Sequence, residues 1–173
     1  SIKKVHSHVK VSANVRSTTP QPIIDIGNIK DLDIVEINCH CRQEEILNVG
    51  CGQEMLKRED LGDFISEVAD NVDCEVSVKI RANVECVDTL KIAGLIEDSG
   101  ADYLHIDAMK KGVFDADYNL LREVCNNVHI KVIGNNSVNS ELNAKKMIET
   151  GVSGFSIARA IISGNLGFDI SYF

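Results

Sequence analysis

Positive charge is what this sequence has least of relative to its opposite: 18 Lys and Arg stand against 26 Asp and Glu, a formal net charge of −8. Nucleic-acid binding draws much of its affinity from Lys and Arg neutralising phosphates, so the chain by itself reads as a poor general nucleic-acid binder. No apolar run approaches the roughly 20 residues that cross a bilayer. The N-terminal Ser1-Ile2-Lys3-Lys4-Val5-His6 also lacks the apolar core of a signal peptide. No membrane partner is expected, and the expected compartment is the cytoplasm. Low-complexity sequence and a separate linker are missing too, and prolines are confined to Pro20 and Pro22. The chain opens without Met, which points to a processed start or a piece of a longer protein.

What is there is the composition of a globular protein: 173 residues, 44% hydrophobic and 25% charged. That suffices for a single domain over residues 1–173 with a sizeable core. The six cysteines do not read as a disulfide scaffold, because such scaffolds are loop-rich and this chain is periodic throughout. Reduced thiols are expected.

Period-two alternation predicts strands over 9–15, 33–38, 74–80, 102–107, 128–133 and 154–157. Helical spacing predicts helices over 61–69, 87–99, 116–125 and 141–150, with Gly100 and Gly151 placed to close two of them. A short helix fits within 23–32. The polar stretch 42–58 is too long for a tight turn and reads as a functional loop with a helical turn at 54–57. Strands alternating with helices of this length imply parallel βαβ units. About six units are visible, whereas a closed (β/α)₈ TIM barrel needs eight and about 250 residues. An incomplete barrel is therefore expected, with the missing units at the N-terminal end.

Chemically able side chains gather where the strands end, the edge at which α/β proteins bind ligands. The stretch Asp33 to Cys41 alternates apolar and acidic residues and then stops in a run of chemically able side chains, Glu36, Asn38, Cys39, His40 and Cys41. Cys41, flanked by His40 and Arg42, is a candidate thiolate or proton donor; the plain alternative is a small buried hydrophobe. Cys39, His40, Cys41 and Cys51 are all possible zinc donors, but Cys-x-Cys lacks the usual Cys-x₂-Cys spacing and no second pair follows, so no metal is expected. Lys79 and Arg81 lie two apart and share one strand face, which calls for an anionic or electron-rich ligand or else a solvated edge. Asp107 ends the next strand, two residues beyond His105, where it could pair with either cation. Gly134-Asn135-Asn136-Ser137 and Gly154 to Arg159 end the last two strands. In such barrels these loops commonly hold phosphate through backbone N–H groups, and Arg159 could add a bidentate charge.

With these residues assembled, the chain resembles the tRNA-dihydrouridine synthases, including archaeal TIM-barrel relatives of them, from Val9 to about Asn165. The family motif of strand, Asn, two residues and catalytic Cys is matched by Asn38-Cys39-His40-Cys41. The Gly-rich stretch after it matches Gly50-Cys51-Gly52-Gln53-Glu54-Met55-Leu56, and the Val-Lys-Ile-Arg strand matches Val78-Lys79-Ile80-Arg81. The resemblance implies FMN bound at the strand ends by Asn14, Lys79, Asp107, Asn135, Asn136, Ser137, Ala158 and Arg159. It also implies a uracil-type base held by Asn38 and Arg81, and Cys41 as the acid that protonates C5 while hydride reaches C6. The implied partner is tRNA or a small pyrimidine-like substrate.

The departures are specific. Asp107-Ala108-Met109 stands where the family has His-Gly-Arg, His40 where it has glycine and Arg42 where it has proline. The Met-Ala-Pro strand and the C-terminal helical domain of the family have no counterpart in the sequence. Two other readings follow: a dihydroorotate dehydrogenase-like flavin oxidoreductase acting on a small molecule, and a non-catalytic barrel that has lost flavin binding.

Overall fold

The strands of this computed structural model form one parallel sheet of six, in the order β1-β2-β3-β4-β5-β6. They are β1 (Ser12–Val15), β2 (Ile34–Cys39), β3 (Glu75–Arg81), β4 (Tyr103–Asp107), β5 (Lys131–Asn135) and β6 (Gly154–Ser156). The structure describes residues 8–162, 164 and 166–173. The segment Ser1 to His6 and the end of the resemblance at Asn165 lie outside the described residues. Between the strands run α1 (Gln21–Gly27), α2 (Glu44–Leu47), a 3₁₀ helix over Gly52–Lys57, α3 (Leu61–Asp70), α4 (Thr89–Asp98), α5 (Tyr118–Asn127) and α6 (Glu141–Ile148), and α7 (Arg159–Ile162) follows β6. The sheet curls into a half-barrel whose edges are β1 and β6.

The two faces of the sheet are chemically opposite. Val35, Ile37 and Cys39, then Val76, Val78 and Ile80, then Leu104 and Ile106, all point outward and are buried. Leu61, Phe64, Ile65 and Val68 of α3, Ala93 and Ile96 of α4, and Leu121 and Val124 of α5 pack into the same cluster. Because successive strand residues face opposite sides, the alternate row carries Asn14, Glu36, Asn38, Ser77, Lys79, Arg81, His105, Asp107, Asn135 and Ser156 along the concave face, with registers such as Asn38↔Lys79 and Arg81↔Asp107. Barrel interiors are ordinarily filled by branched apolar side chains. Here the inner row is mostly polar, Ile34 and Ile133 apart.

Local chemistry explains where elements start and stop. Asp88 caps α4 by accepting from Leu90 N at 3.0 Å and Lys91 N at 3.2 Å, and Asp117 accepts from Leu120 N at 3.3 Å to start α5. Gly100, at φ 87°, closes α4 as its spacing predicts.

Several boundaries differ from expectation. Strand β1 begins at Ser12 rather than Val9, although Val11 O still accepts from Asp33 N and Ile34 N. Strand β5 begins at Lys131 rather than Val128, because the Glu97 carboxylate captures His129 N and Ile130 N at 2.5 and 2.9 Å before pairing starts. The loop 42–58 contains α2, and its expected helical turn is the end of a longer 3₁₀ helix.

The outward row is where stability should be most sensitive. Leu104, fully buried in β4, should lose about 2–5 kcal/mol on Leu104→Ala, the cost of a core cavity. The measure is a lower urea midpoint at unchanged m-value. Ile161, 57% exposed, should change by no more than about 0.5 kcal/mol on the same truncation.

Candidate active site

The mouth of the half-barrel is organised by two side chains. Asn38, at the end of β2, accepts from the backbone N–H groups of His40 (3.1 Å) and Cys41 (3.0 Å) through its Oδ1, while its Nδ2 donates to Asn14 Oδ1 at 2.7 Å. This Asx-type turn fixes the loop that carries Cys41. The glycine-rich stretch then closes on it: Gln53 N donates to Cys41 O at 2.9 Å, and Gly52 sits at φ 63° with the Cys41 carbonyl where any Cβ would have to be.

Asp107 is the second organiser. Its carboxylate lies 3.2 Å from Arg81 Nη1 and 2.7 Å from His40 Nε2, and it accepts from Asn136 Nδ2 at 3.0 Å. The expected pairing of Asp107 with a cation of β3 is therefore made with Arg81. Burial pushes the Asp107 carboxyl up, but the His40 hydrogen bond, the Arg81 charge and Asn136 outweigh it and hold the acid below its ordinary range. His40 Nε2 also lies 3.0 Å from Arg81 Nη2. That one ring nitrogen therefore lies between a group that only accepts and a group that only donates.

Beside this cluster the loops after β5 and β6 enclose a cavity of about 560 Å³, lined by Asp107, Asn135 to Asn139, Ser156 to Ala160, and Phe114. Asn136 and Ser137 adopt φ 103° and 59°, a left-handed geometry that swings consecutive amides to one side. The N–H groups of Asn136, Ser137 and Val138 have no acceptor among the described residues. Arg159, exposed at the start of α7, adds the cavity's only guanidinium among those lining residues. Free backbone amides beside a cation are the kind of donor set that anions use. These are donors that suit a phosphate.

Below the mouth, Glu36 is buried among hydrogen-bond donors: Asn14 Nδ2 (2.7 Å), Ser77 Oγ (2.9 Å) and His105 Nδ1 (2.8 Å). Burial pushes its carboxyl up, but the hydrogen bond and charge of His105, with Asn14 and Ser77, bring it down to about 2. His105 reaches on through Nε2 to Ser156 Oγ at 2.7 Å.

The residues singled out from sequence therefore fall into groups. Asp107, Asn135, Asn136, Ser137, Ala158 and Arg159 line one cavity. Cys41, Asn38 and Arg81 stand at the adjoining mouth, joined to that cavity through His40 and Asp107. Lys79 sits on the inner face between Asn38 and His105, half-buried, with no hydrogen bond or ion pair among the described residues. Asn14 is turned inward to Glu36 and Asn38. Cys39 is wholly buried on the outward row, where burial pushes its thiol up to about 12 despite the partial offset of Arg58. Sequence reasoning grouped Glu36 and His40 with the reactive side chains of β2 without giving either a binding partner, and passed over Ser77 and Ser156. Their signal was polar residues recurring every second position in otherwise apolar strands.

Fold and site together define a (β/α)₈-type barrel scaffold whose strand ends hold a cavity lined by free amides and Arg159 next to a cysteine-bearing loop. Solved structures agree on the fold: FabK from Thermotoga maritima (13% identity, TM-score 0.60, covering 94% of this chain and 46% of that one) and a mutant tryptophan synthase alpha-subunit from Pyrococcus furiosus (12% identity, TM-score 0.63, covering 94% and 62%). The dihydrouridine synthase (Dus) family model matches residues 13–164, and the chain belongs to that family. An uncharacterized protein of Methanocaldococcus jannaschii is 36% identical over 95% of this chain and 65% of its own length. The tRNA-dihydrouridine synthase B of Escherichia coli K12 is 27% identical over 86% of this chain and 50% of its own. The chain thus spans between half and two thirds of these relatives.

The ionised Glu36 makes acid stability a test of the inner network. A folded-state pKa of about 2 against an ordinary 4.5 means its contribution is complete above pH 4.5 and is lost as pH falls toward 2, on the order of 3 kcal/mol in all. Chemical denaturation at successive pH values should therefore show a steep acid limb for the wild type and a flatter one for Glu36→Gln.

Proposed function

We propose that this chain is the flavin-binding barrel of a dihydrouridine synthase-type oxidoreductase, acting on a uracil-like ring. The observation that carries the reading is the meeting of Cys41, Arg81 and Asp107 at the strand ends with a cavity of free amides and Arg159 beside them. The amides of Asn136 to Val138 and the Arg159 guanidinium would hold the FMN phosphate, and Lys79 would face the pyrimidine end of the flavin ring. FMN bound there would supply hydride to C6 of the base. Asn38 and Arg81 would orient the base, with Asn38 already fixing the Cys41 loop. Cys41 Sγ–H would deliver the proton to C5, and Asp107 would keep Arg81 charged and in place. The protein's share is position and electrostatics.

The family supports tRNA as the macromolecule carrying that base, and a cytoplasmic location goes with it. The net charge of −8 favours a free pyrimidine-type molecule as the alternative, since few cations are available to follow an RNA backbone. Dihydrouridine content of tRNA from cells lacking the gene separates the two.

Two measurements test the site. Titration with FMN, followed by its absorption spectrum, should give saturable binding that Arg159→Ala weakens by about 1.5–3 kcal/mol, the size of a charge-assisted hydrogen bond; an unchanged Kd removes Arg159 from the phosphate site. Cys41→Ala should bind FMN as the wild type does and reduce substrate ~10²-fold more slowly or worse, and equal turnover would take Cys41 out of the mechanism.

A further inference from the structure

The line Glu36–His105–Ser156 is left unused by that reading, and it ends at the wall of the cavity. We infer that Ser156 is a nucleophile activated by His105 and Glu36, poised to take the acyl group of a small carboxylic ester. The three side chains come from β2, β4 and β6, so each is mounted on a strand, and their contacts are 2.8 Å from Glu36 Oε2 to His105 Nδ1 and 2.7 Å from His105 Nε2 to Ser156 Oγ.

The hydrogens can be placed only one way for a neutral ring. Glu36 is ionised and accepts, so Nδ1 carries the imidazole hydrogen and Nε2 presents its lone pair to the Ser156 hydroxyl. Glu36 cannot swing away, because Asn14 and Ser77 hold its two oxygens. This is the arrangement in which a serine is deprotonated as it attacks, with nucleophile, base and orienting carboxylate each in hydrogen-bond reach.

Access and charge stabilisation come from the same cavity. Glu36 and His105 are buried while Ser156 lines the 560 Å³ space. The amides of Asn136, Ser137 and Val138, free among the described residues, belong to residues that line that space, and with no phosphate there they would serve a developing oxyanion as donors. A merely structural bridge needs none of this. An apolar side chain at 156 would fill the wall, and a buried carboxylate with a buried imidazole is a costly way to join three strands.

The step balances without a co-reactant other than water. Ser156 Oγ forms a bond to the ester carbonyl carbon as its proton passes to His105 Nε2. The carbon–oxygen bond of the ester breaks, and the leaving alkoxide takes that proton. Water, deprotonated in turn by His105, then releases the carboxylic acid and restores the serine.

An alkyl fluorophosphonate tests this on the chain as it is, with no flavin added, so the outcome is independent of whether FMN binds. Oγ would displace fluoride from phosphorus, giving one adduct per chain by intact mass, located on Ser156 by peptide mapping. Ser156→Ala should abolish it, and His105→Gln should slow it ~10²-fold or more, the usual worth of a positioned base. Hydrolysis of p-nitrophenyl acetate by the wild type, lost in the same two variants, would be the catalytic counterpart. Failure of the wild type to acquire an adduct, an adduct elsewhere, or a labelling rate indifferent to His105→Gln would each overturn the inference.

Discussion

A carboxylate that cannot be left alone sits at the mouth of this half-barrel. Asp107, buried at the rim, faces a guanidinium on β3, an imidazole from the loop after β2 and an amide from the loop after β5. Taking such a charge out of water costs several kcal/mol unless it is met on every side, and meeting it requires these elements to converge. The geometry of the mouth follows: His40 is drawn over the strand ends, Asn136 is turned inward from its left-handed loop, and Arg81 is held against the carbonyl side of the His40–Cys41 segment. Chemistry at the strand ends thus has a structural cause before it has a functional one.

The same logic runs down the inner face. An outward row of Val, Ile and Leu supplies the hydrophobic driving force through the helices packed on it, and the concave row is then free to be polar. Each fully buried polar side chain there has to be answered by another, as Glu36 is by Asn14, Ser77 and His105, while half-buried Lys79 is left to solvent or ligand. Among the described residues no buried side-chain nitrogen or oxygen is left without a partner. Satisfied networks of this kind specify a unique arrangement, and they keep groups such as Ser156 in fixed orientation.

Much of the fold was legible because the signals were local. Alternation in Ile34 to Cys39 and Glu75 to Arg81, and helical spacing in Leu61, Phe64, Ile65 and Val68, are readable within ten residues. The misplaced start of β5 came from Glu97, 32 residues before His129 in sequence, whose carboxylate no window around His129 contains. The site divides along the same line. Asn38 and Cys41 form a contiguous motif and could be found. His105 finds Glu36 across 69 residues and Ser156 across 51, so only the register of parallel strands, set by the whole sheet, brings them together.

Strand β1 lies at the margin of the sheet, yet the Asn14 it carries is bonded to both Glu36 and Asn38. Marginal strands open most readily in the native state, and the free energy of that opening can be far below that of global unfolding. Peeling of β1 would loosen the turn that presents Cys41 and uncover the Glu36 carboxylate together, without disturbing the apolar layer behind them. The rigidity of the reactive centre is in this sense borrowed from an outermost ribbon of the sheet, and whatever braces that ribbon sets how long the centre stays assembled.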